Sequence, residues 1–213
     1  MLVKAFQTGG DRNLAYVVAD ASANEAAVID PSYSPSTIVN FVNEQGLRVA
    51  YAFCTHDHHD HTNGNEEFER LTGVRPLLFG DRDPKTETVV EGGVRLPLGA
   101  LALRILHTPG HTADSICVLV EDALFTGDTL FVGKVGGTDL GDGARREYDS
   151  LHGVLMKLPD ATRVFPGHDV GVQSESTIGH ERETNPFLLC ANVESFLDLK
   201  RNWAEYKKEH GIA

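Results

Sequence analysis

The sequence predicts a mixed α/β fold in which layers of strand and helix stack on a common core. Three observations carry this. Short β-type runs recur along the chain and most stop at Asp, His or Gly; amphipathic helical segments lie between them; and the run pair SICVLVEDALFTGD reads as a hairpin, not as a strand–helix–strand crossover. The hairpin favours a mixed sheet over a doubly wound parallel one.

Taken in order, LAYVVAD (14–20) and AAVID (26–30) open the chain as strands rich in Val, Ala and Ile. SPSTIVNFVNEQG follows as a helix: Ser34 can cap it, Pro35 suits the first helical position, Ile38, Phe41 and Val42 form one apolar face, and Gly46 suits the stop. RVAYAFC (48–54) is the next strand and GNEEFERLTG the next helix. LALRILH (101–107), SICVLVE (115–121) and ALFTGD (123–128) are strands, the last two joined by the hairpin turn. REYDSLHGVLMKLPD is helical, TRVFPGH (162–168) is a strand, and NVESFLDLKRNWAEYKKEHG is expected as one closing helix at about 192–210. Its stripe of Phe196, Leu199, Trp203 and Tyr206 is expected to face the core. No repeat, low-complexity segment or Pro/Ser linker divides the 213 residues, so a single domain over 1–213 is expected.

Composition excludes several functions. A net charge of −12 with no basic block outside the C-terminal tail argues against nucleic acid, whose phosphates require a basic surface. No apolar stretch is long enough to cross a bilayer, and the N-terminus shows no secretory signal, so no membrane role is expected. Cys54, Cys117 and Cys190 are few, odd in number and set among apolar neighbours. They read as buried small hydrophobes in a reducing cytoplasm, not as a disulfide framework. The glycine-rich FVGKVGGTDLGDG lacks both the Lys-Ser/Thr ending of a P-loop and the spacing of a dinucleotide fingerprint, and reads as a loop.

Chemistry concentrates in THDHHDHTNG, where four of the chain's ten histidines fall between His56 and His61. In an extended segment His56, His58 and Asp60 would share one side, and a turn after Asp60 would bring His61 round. Imidazole nitrogen and carboxylate oxygen suit zinc, iron or manganese. Three later candidates each end a β-type run: His111, Asp128 and His168. Seven ligands exceed what one four-coordinate ion needs, and they suit two ions sharing a carboxylate and a water.

At these residues the chain resembles the metallo-β-lactamase superfamily, whose HxHxDH motif is met by His56, His58, Asp60 and His61. The resemblance runs from NLAYVVAD through AVIDPS, HTPGHT, FTGDTLF and PGHD to ERETNPFL. It implies an αββα sandwich with metals at the edge of its two sheets. It further implies one divalent ion on His56, His58 and His111, a second on Asp60, His61 and His168, and Asp128 as the bridge. Asp30 matches a position close to the site and is expected to support a ligand. Asp57 and His59 occupy the free positions of the motif and are expected to be exposed or to support ligands.

Two ions held about 3.5–4 Å apart lower the pKa of a bridging water to roughly 7, so hydrolysis is expected, with Asp60 as the catalytic residue that orients the nucleophile. Two branches are the most similar. Glyoxalase II-like thioester hydrolases, acting on hydroxyacyl-glutathione-like thiol conjugates, match through GDTLFVG and YDSL. Persulfide dioxygenases, which use one Fe(II) at the positions of His56, His111 and Asp128, match through STIGHERETNPFL and through Thr138 and Asp139. Both commonly carry Cys-Gly-Arg or Cys-Gly-Lys after the GD motif, where Val135 and Gly137 stand here. Lys134, Arg145, Arg146 and Tyr148 are therefore the candidates for contacting a small anionic substrate. A homodimer is the expected assembly, closed twofold pairs being common.

Overall fold

A computed structural model describes residues 1–212. β1 (Leu2–Gly9), β2 (Asn13–Asp20) and β3 (Glu25–Ile29) form an antiparallel meander. α1 (Pro35–Glu44) then crosses over to β4 (Arg48–Phe53), which lies parallel to β3 and completes a four-stranded sheet of order β1-β2-β3-β4. α2 (His59–Thr62) and α3 (Asn65–Thr72) follow.

β5 (Arg95–Leu98), β6 (Leu101–His107), β7 (Ile116–Val120) and β8 (Ala123–Gly127) form a second meander that includes the predicted hairpin. A ribbon of β9 (Leu130–Phe131) and β10 (Lys134–Val135) leads to α4 (Asp142–Gly153) and a 3-10 turn at Leu155–Lys157. β11 (Arg163–Pro166) returns parallel to β8, and β12 (Ser176–Thr177) closes a six-stranded sheet of order β12-β11-β8-β7-β6-β5. α5 (Ile178–Thr184), α6 (Val193–Arg201) and α7 (Trp203–His210) end the chain.

Strand parity sorts the apolar residues into three layers of core. Tyr16, Val18, Ile29 and Phe53 of the first sheet face Leu103, Ile105, Val118, Phe125 and Phe165 of the second, with the Tyr16 ring 5.1 Å from Phe125 and 5.6 Å from Phe165. The alternate residues Ala15, Val17 and Val28 pack outward on Ile38 and Val42 of α1 and Phe68 of α3. On the other side, Cys117, Leu124 and Val164 pack on Ala144 and Leu151 of α4, Ile178 of α5 and Phe196 of α6. The result is the expected αββα sandwich. Because both its faces are covered, every residue of β2 is buried, which explains why NLAYVVAD reads as a nearly continuous apolar run.

Three local expectations are corrected. The closing segment is two helices, not one at 192–210: Asn192 caps α6 by accepting from Ser195 N at 2.9 Å, and the chain bends at Asn202, whose backbone leaves helical geometry (φ −105, ψ 16) while its side-chain amide donates to Asp198 O at 3.0 Å. That turn sets the Trp203 ring 4.7 Å from Phe187. Ser34 occupies the cap position of α1 but donates to Thr8 O at 3.0 Å, tying the helix to β1. The bend in THDHHDH comes one residue before Asp60, because α2 begins at His59. β1, with its Lys and Gln, and β5, with Pro97, lacked a strong apolar signal and went unpredicted. Among the described residues no helix is long and apolar enough to cross a membrane.

Candidate metal centre

The cluster forms where strand ends converge. β4 ends at Phe53, and the chain leaves it through Thr55, whose N–H and hydroxyl both donate to Asp30, at 2.7 and 2.8 Å. His56 follows in a bend, not in the extended backbone expected, and His58 in extended backbone; from His59 the period changes to that of a helix, 3.6. That change lets Asp60 and His61, adjacent in sequence, both reach the cluster. Asp128 follows β8, His168 follows β11, and His111 sits in the loop after β6.

Two triads result. His58 Nδ1 lies 2.9 Å from His56 Nε2 and 3.0 Å from His111 Nε2. His168 Nε2 lies 3.2 Å from His61 Nε2 and 3.4 Å from Asp60 Oδ2. Between them stands Asp128: Oδ1 is 3.4 Å from Nε2 of both His61 and His168, and Oδ2 is 3.6 Å from His111 Nε2. In each triad, one ligand atom from every residue lies within 4.8 Å of the others.

The outer ring nitrogens are spoken for. His61 Nδ1 is 2.9 Å from Asp30 Oδ2, His111 Nδ1 is 2.6 Å from Gly137 O, His168 Nδ1 is 2.8 Å from Asp11 O, and His56 Nδ1 is 3.2 Å from Thr55 Oγ1. Carbonyls only accept, so His111 and His168 donate from Nδ1, which leaves Nε2 as the inward-facing nitrogen that can take a metal. Thr55 gives its proton to Asp30 and so accepts from His56. Bare nitrogens and carboxylate oxygens crowded together repel unless a cation joins them, and the buried Asp128 Oδ1 has no hydrogen-bond partner. The donor set therefore fits divalent metal ions, with the outer hydrogen bonds fixing each tautomer. Gly167 leaves room for it: a Cβ there would stand 2.6 Å from Asp128 Oδ1 and 2.9 Å from the His61 ring.

The electrostatics agree. Burial, reinforced by the charge of His61, pushes His56 down to about 3, so its ring is neutral. Burial also opposes the charge on His61, but the Asp30 and Asp128 carboxylates prevail and raise it to about 10. Asp128 is held well below the usual carboxylate range: burial opposes its charge, but the His168 and His61 rings facing it outweigh that burial.

The other predicted residues divide. Asp30 is buried against Thr55 and His61 with φ 51, a strained conformation for a residue with a side chain. Asp57 and His59 are exposed. Lys134 lines a cleft of about 390 Å³ bounded by Val132, Pro186, Trp203 and Lys207. Arg145 and Arg146 are exposed on α4, Arg145 pairing with Glu194, and Tyr148 packs its ring on His152 and Phe196. Neither arginine nor Tyr148 is drawn into the histidine cluster. Asp139 accepts from Gly141 N and Gly143 N at the start of α4, and the Thr138 hydroxyl is buried without a partner.

Sequence reasoning missed Asn13, whose amide donates to Asp60 Oδ2 at 3.0 Å and to Asp60 O at 3.2 Å while its backbone bridges to His168. Its one legible signal was a polar residue at the head of a strand that is otherwise apolar.

Residues 8–168 match the metallo-β-lactamase superfamily. The chain is 34% identical to the hydroxyacylglutathione hydrolase of Polaromonas sp. over 177 residues, covering 79% of this chain and 67% of that protein. It is 31% identical to the human mitochondrial persulfide dioxygenase ETHE1 over 192 residues, covering 88% and 75%. The beta-lactamase hydrolase-like protein of Agrobacterium fabrum is 30% identical, and there the match spans only 55% of the relative. Among solved structures, ETHE1 from Myxococcus xanthus superposes with a TM-score of 0.86 at 32% identity, over 95% of this chain and 91% of that one.

Proposed function

The chain belongs to the metallo-β-lactamase superfamily, and from that premise we propose that it is a dinuclear metallohydrolase cleaving the thioester of an anionic thiol conjugate, of the hydroxyacyl-glutathione kind. The position of Asp128 carries this reading: one of its oxygens faces His61 and His168, the other faces His111. Two divalent ions, zinc or iron or manganese, would supply a water acidified to near neutrality and a Lewis acid for the acyl oxygen.

The chain's own residues do the remaining work. His56, His58 and His111 would hold one ion and Asp60, His61 and His168 the other, with an Asp128 oxygen offered to each. Asp60, fixed by Asn13, orients the attacking water and receives its proton on the carboxylate. Asp30 keeps His61 in the tautomer that presents Nε2. Lys134 and Lys207 line the same cleft, and neither forms an ion pair among the described residues. Burial, and then the charge of Lys207, depress the Lys134 pKa, an arrangement that favours an anion between them.

A second reading, a mononuclear Fe(II) persulfide dioxygenase using His56, His111 and Asp128, is favoured by the likeness to ETHE1. The shared segment 176–188 weighs less than its length suggests, because its polar residues serve the fold. Glu181 accepts from Gly133 N at 2.9 Å and Ser176 Oγ at 2.6 Å, and the Asn185 amide donates to Lys134 O at 3.2 Å. Either reaction needs that loop held. The three free thiols accord with a reducing cytoplasm, and light scattering tests the homodimer.

The deciding experiment is elemental analysis of tag-free protein, with S-lactoylglutathione hydrolysis and glutathione-persulfide-dependent oxygen uptake assayed on the same sample. Two ions per chain with thioester cleavage supports the hydrolase. One iron per chain with oxygen uptake replaces it with the dioxygenase.

A further inference from the structure

α4 and α6 are joined by an ion pair that lies inside the protein. Lys200 Nζ is 2.5 Å from Glu147 Oε2, with side-chain exposures of 6% and 0%. The same ammonium donates to Gly136 O at 2.6 Å and sits over the Phe187 and Phe196 rings, 5.9 and 5.4 Å from their centroids. Two buried charges are an expensive way to join helices, and apolar residues of similar volume would do it as well or better. Their location suggests another use.

Each end of the pair touches a loop that meets His111. On the α4 side, a Cβ at Gly110, the residue before His111, would stand 2.4 Å from Glu147 Cα, so loop and helix backbones are in direct contact; Gly110 has φ 157, and one turn further Ser150 Oγ donates to Pro109 O at 2.7 Å. On the α6 side, Lys200 grips Gly136, and the next carbonyl, Gly137 O, accepts from His111 Nδ1. One loop carries the imidazole; the other carries the acceptor that sets its tautomer.

We infer that Glu147 and Lys200 are positioning residues for His111, a tie that holds the ring-bearing loop and the carbonyl-bearing loop in register so that Nε2 stays bare and aimed at the cluster. The inference rests on reading His111 as a ligand and is independent of which reaction the centre performs. A hydrophobic contact between the helices would hold them together without fixing the Gly136–Gly137 carbonyls; a charged donor with fixed partners does both.

The test compares wild type with the double variant Glu147→Gln/Lys200→Met, which removes both charges at nearly constant volume and leaves neither one buried alone. Metal-free, tag-free proteins are titrated with Zn(II) against a chromophoric chelator, and the His111 ring nitrogens are followed by NMR before any metal is added. The expected result is one zinc weakened by about 10–100-fold, the range for loss of outer hydrogen-bond partners, the other zinc unchanged, and a His111 ring no longer locked in the Nδ1–H tautomer. A folded double variant with both affinities and the His111 signals unchanged overturns the inference, and so does one that cannot fold, since the pair would then be a requirement of the fold. Failure of the wild type itself to bind zinc through His111 strikes instead at the ligand assignment.

Discussion

Asp30 holds His61: the carboxylate Oδ2 lies 2.9 Å from the ring Nδ1, and both residues are buried. The same oxygen accepts from the Thr55 hydroxyl, and Oδ1 accepts from the Thr55 N–H. One side chain thus sets the strand-to-loop exit that leads to His56 and fixes the tautomer of His61. Asp30→Asn puts an amide donor against groups that are themselves donors. Metal affinity on the His61 side should fall by about 10–100-fold; chelator competition measures it, and wild-type affinity in a folded Asp30→Asn protein contradicts the role given to Asp30.

Asp128 is the group whose oxygens face both triads. Outer-shell losses already reduce activity or affinity by about 10–100-fold, so Asp128→Ala should reduce activity by more than about 100-fold and lower the metal count per chain. Normal turnover at normal metal content in that variant would remove Asp128 from the site.

Asn13→Ala deletes the two hydrogen bonds to Asp60. A bond to a charged group contributes about 1.5–3 kcal/mol, and part of this should appear as lost stability in urea unfolding. The larger effect should fall on kcat, because Asp60 is the residue assigned to the water; a variant altered in KM alone would place Asn13 in substrate binding.

Metal uptake should release protons. His61 is raised to about 10 in the metal-free protein, so it is protonated at neutral pH and must lose that proton to bind an ion. Affinity should therefore rise with pH and level off as pH passes the raised value. Calorimetry of Zn(II) binding in two buffers of different ionisation enthalpy reads the release directly, and heats that do not depend on the buffer contradict it.

Removing the metal should also destabilise the fold. At free metal about 100-fold above Kd, binding stabilises by about 2.7 kcal/mol. For a chain of this size 1 kcal/mol moves Tm by about 2–4 °C, so chelation should lower Tm by several degrees, and scanning calorimetry with and without chelator checks it.

Strand periodicity, the apolar faces of the helices and the hairpin were legible in the sequence, because burial on one face of a regular element leaves a period of two or 3.6 that one chain displays alone. The nitrogen and oxygen chemistry of His56, His58, Asp60 and His61 was equally legible, since the four sit within six residues. What surrounds them was not. Asn13 meets Asp60 across 47 positions and His61 meets His168 across 107, contacts made where the head of one sheet's β2 meets the segment after the other sheet's β11, through the Leu14 N–H to Gly167 O bond and the Asn13–His168 bridge. The acceptors for His111 and His168 are backbone carbonyls, which every residue carries, so no residue type advertises them. In the sequence nothing distinguishes Lys200 from the other charges of the closing helical segment; the packing of α6 on α4 buries it against Glu147. The sequence alone determined which atoms could hold a metal, because ligand chemistry belongs to residue types; only the tertiary structure decided which hydrogen bonds aim them, because that depends on where separated segments of backbone come to rest.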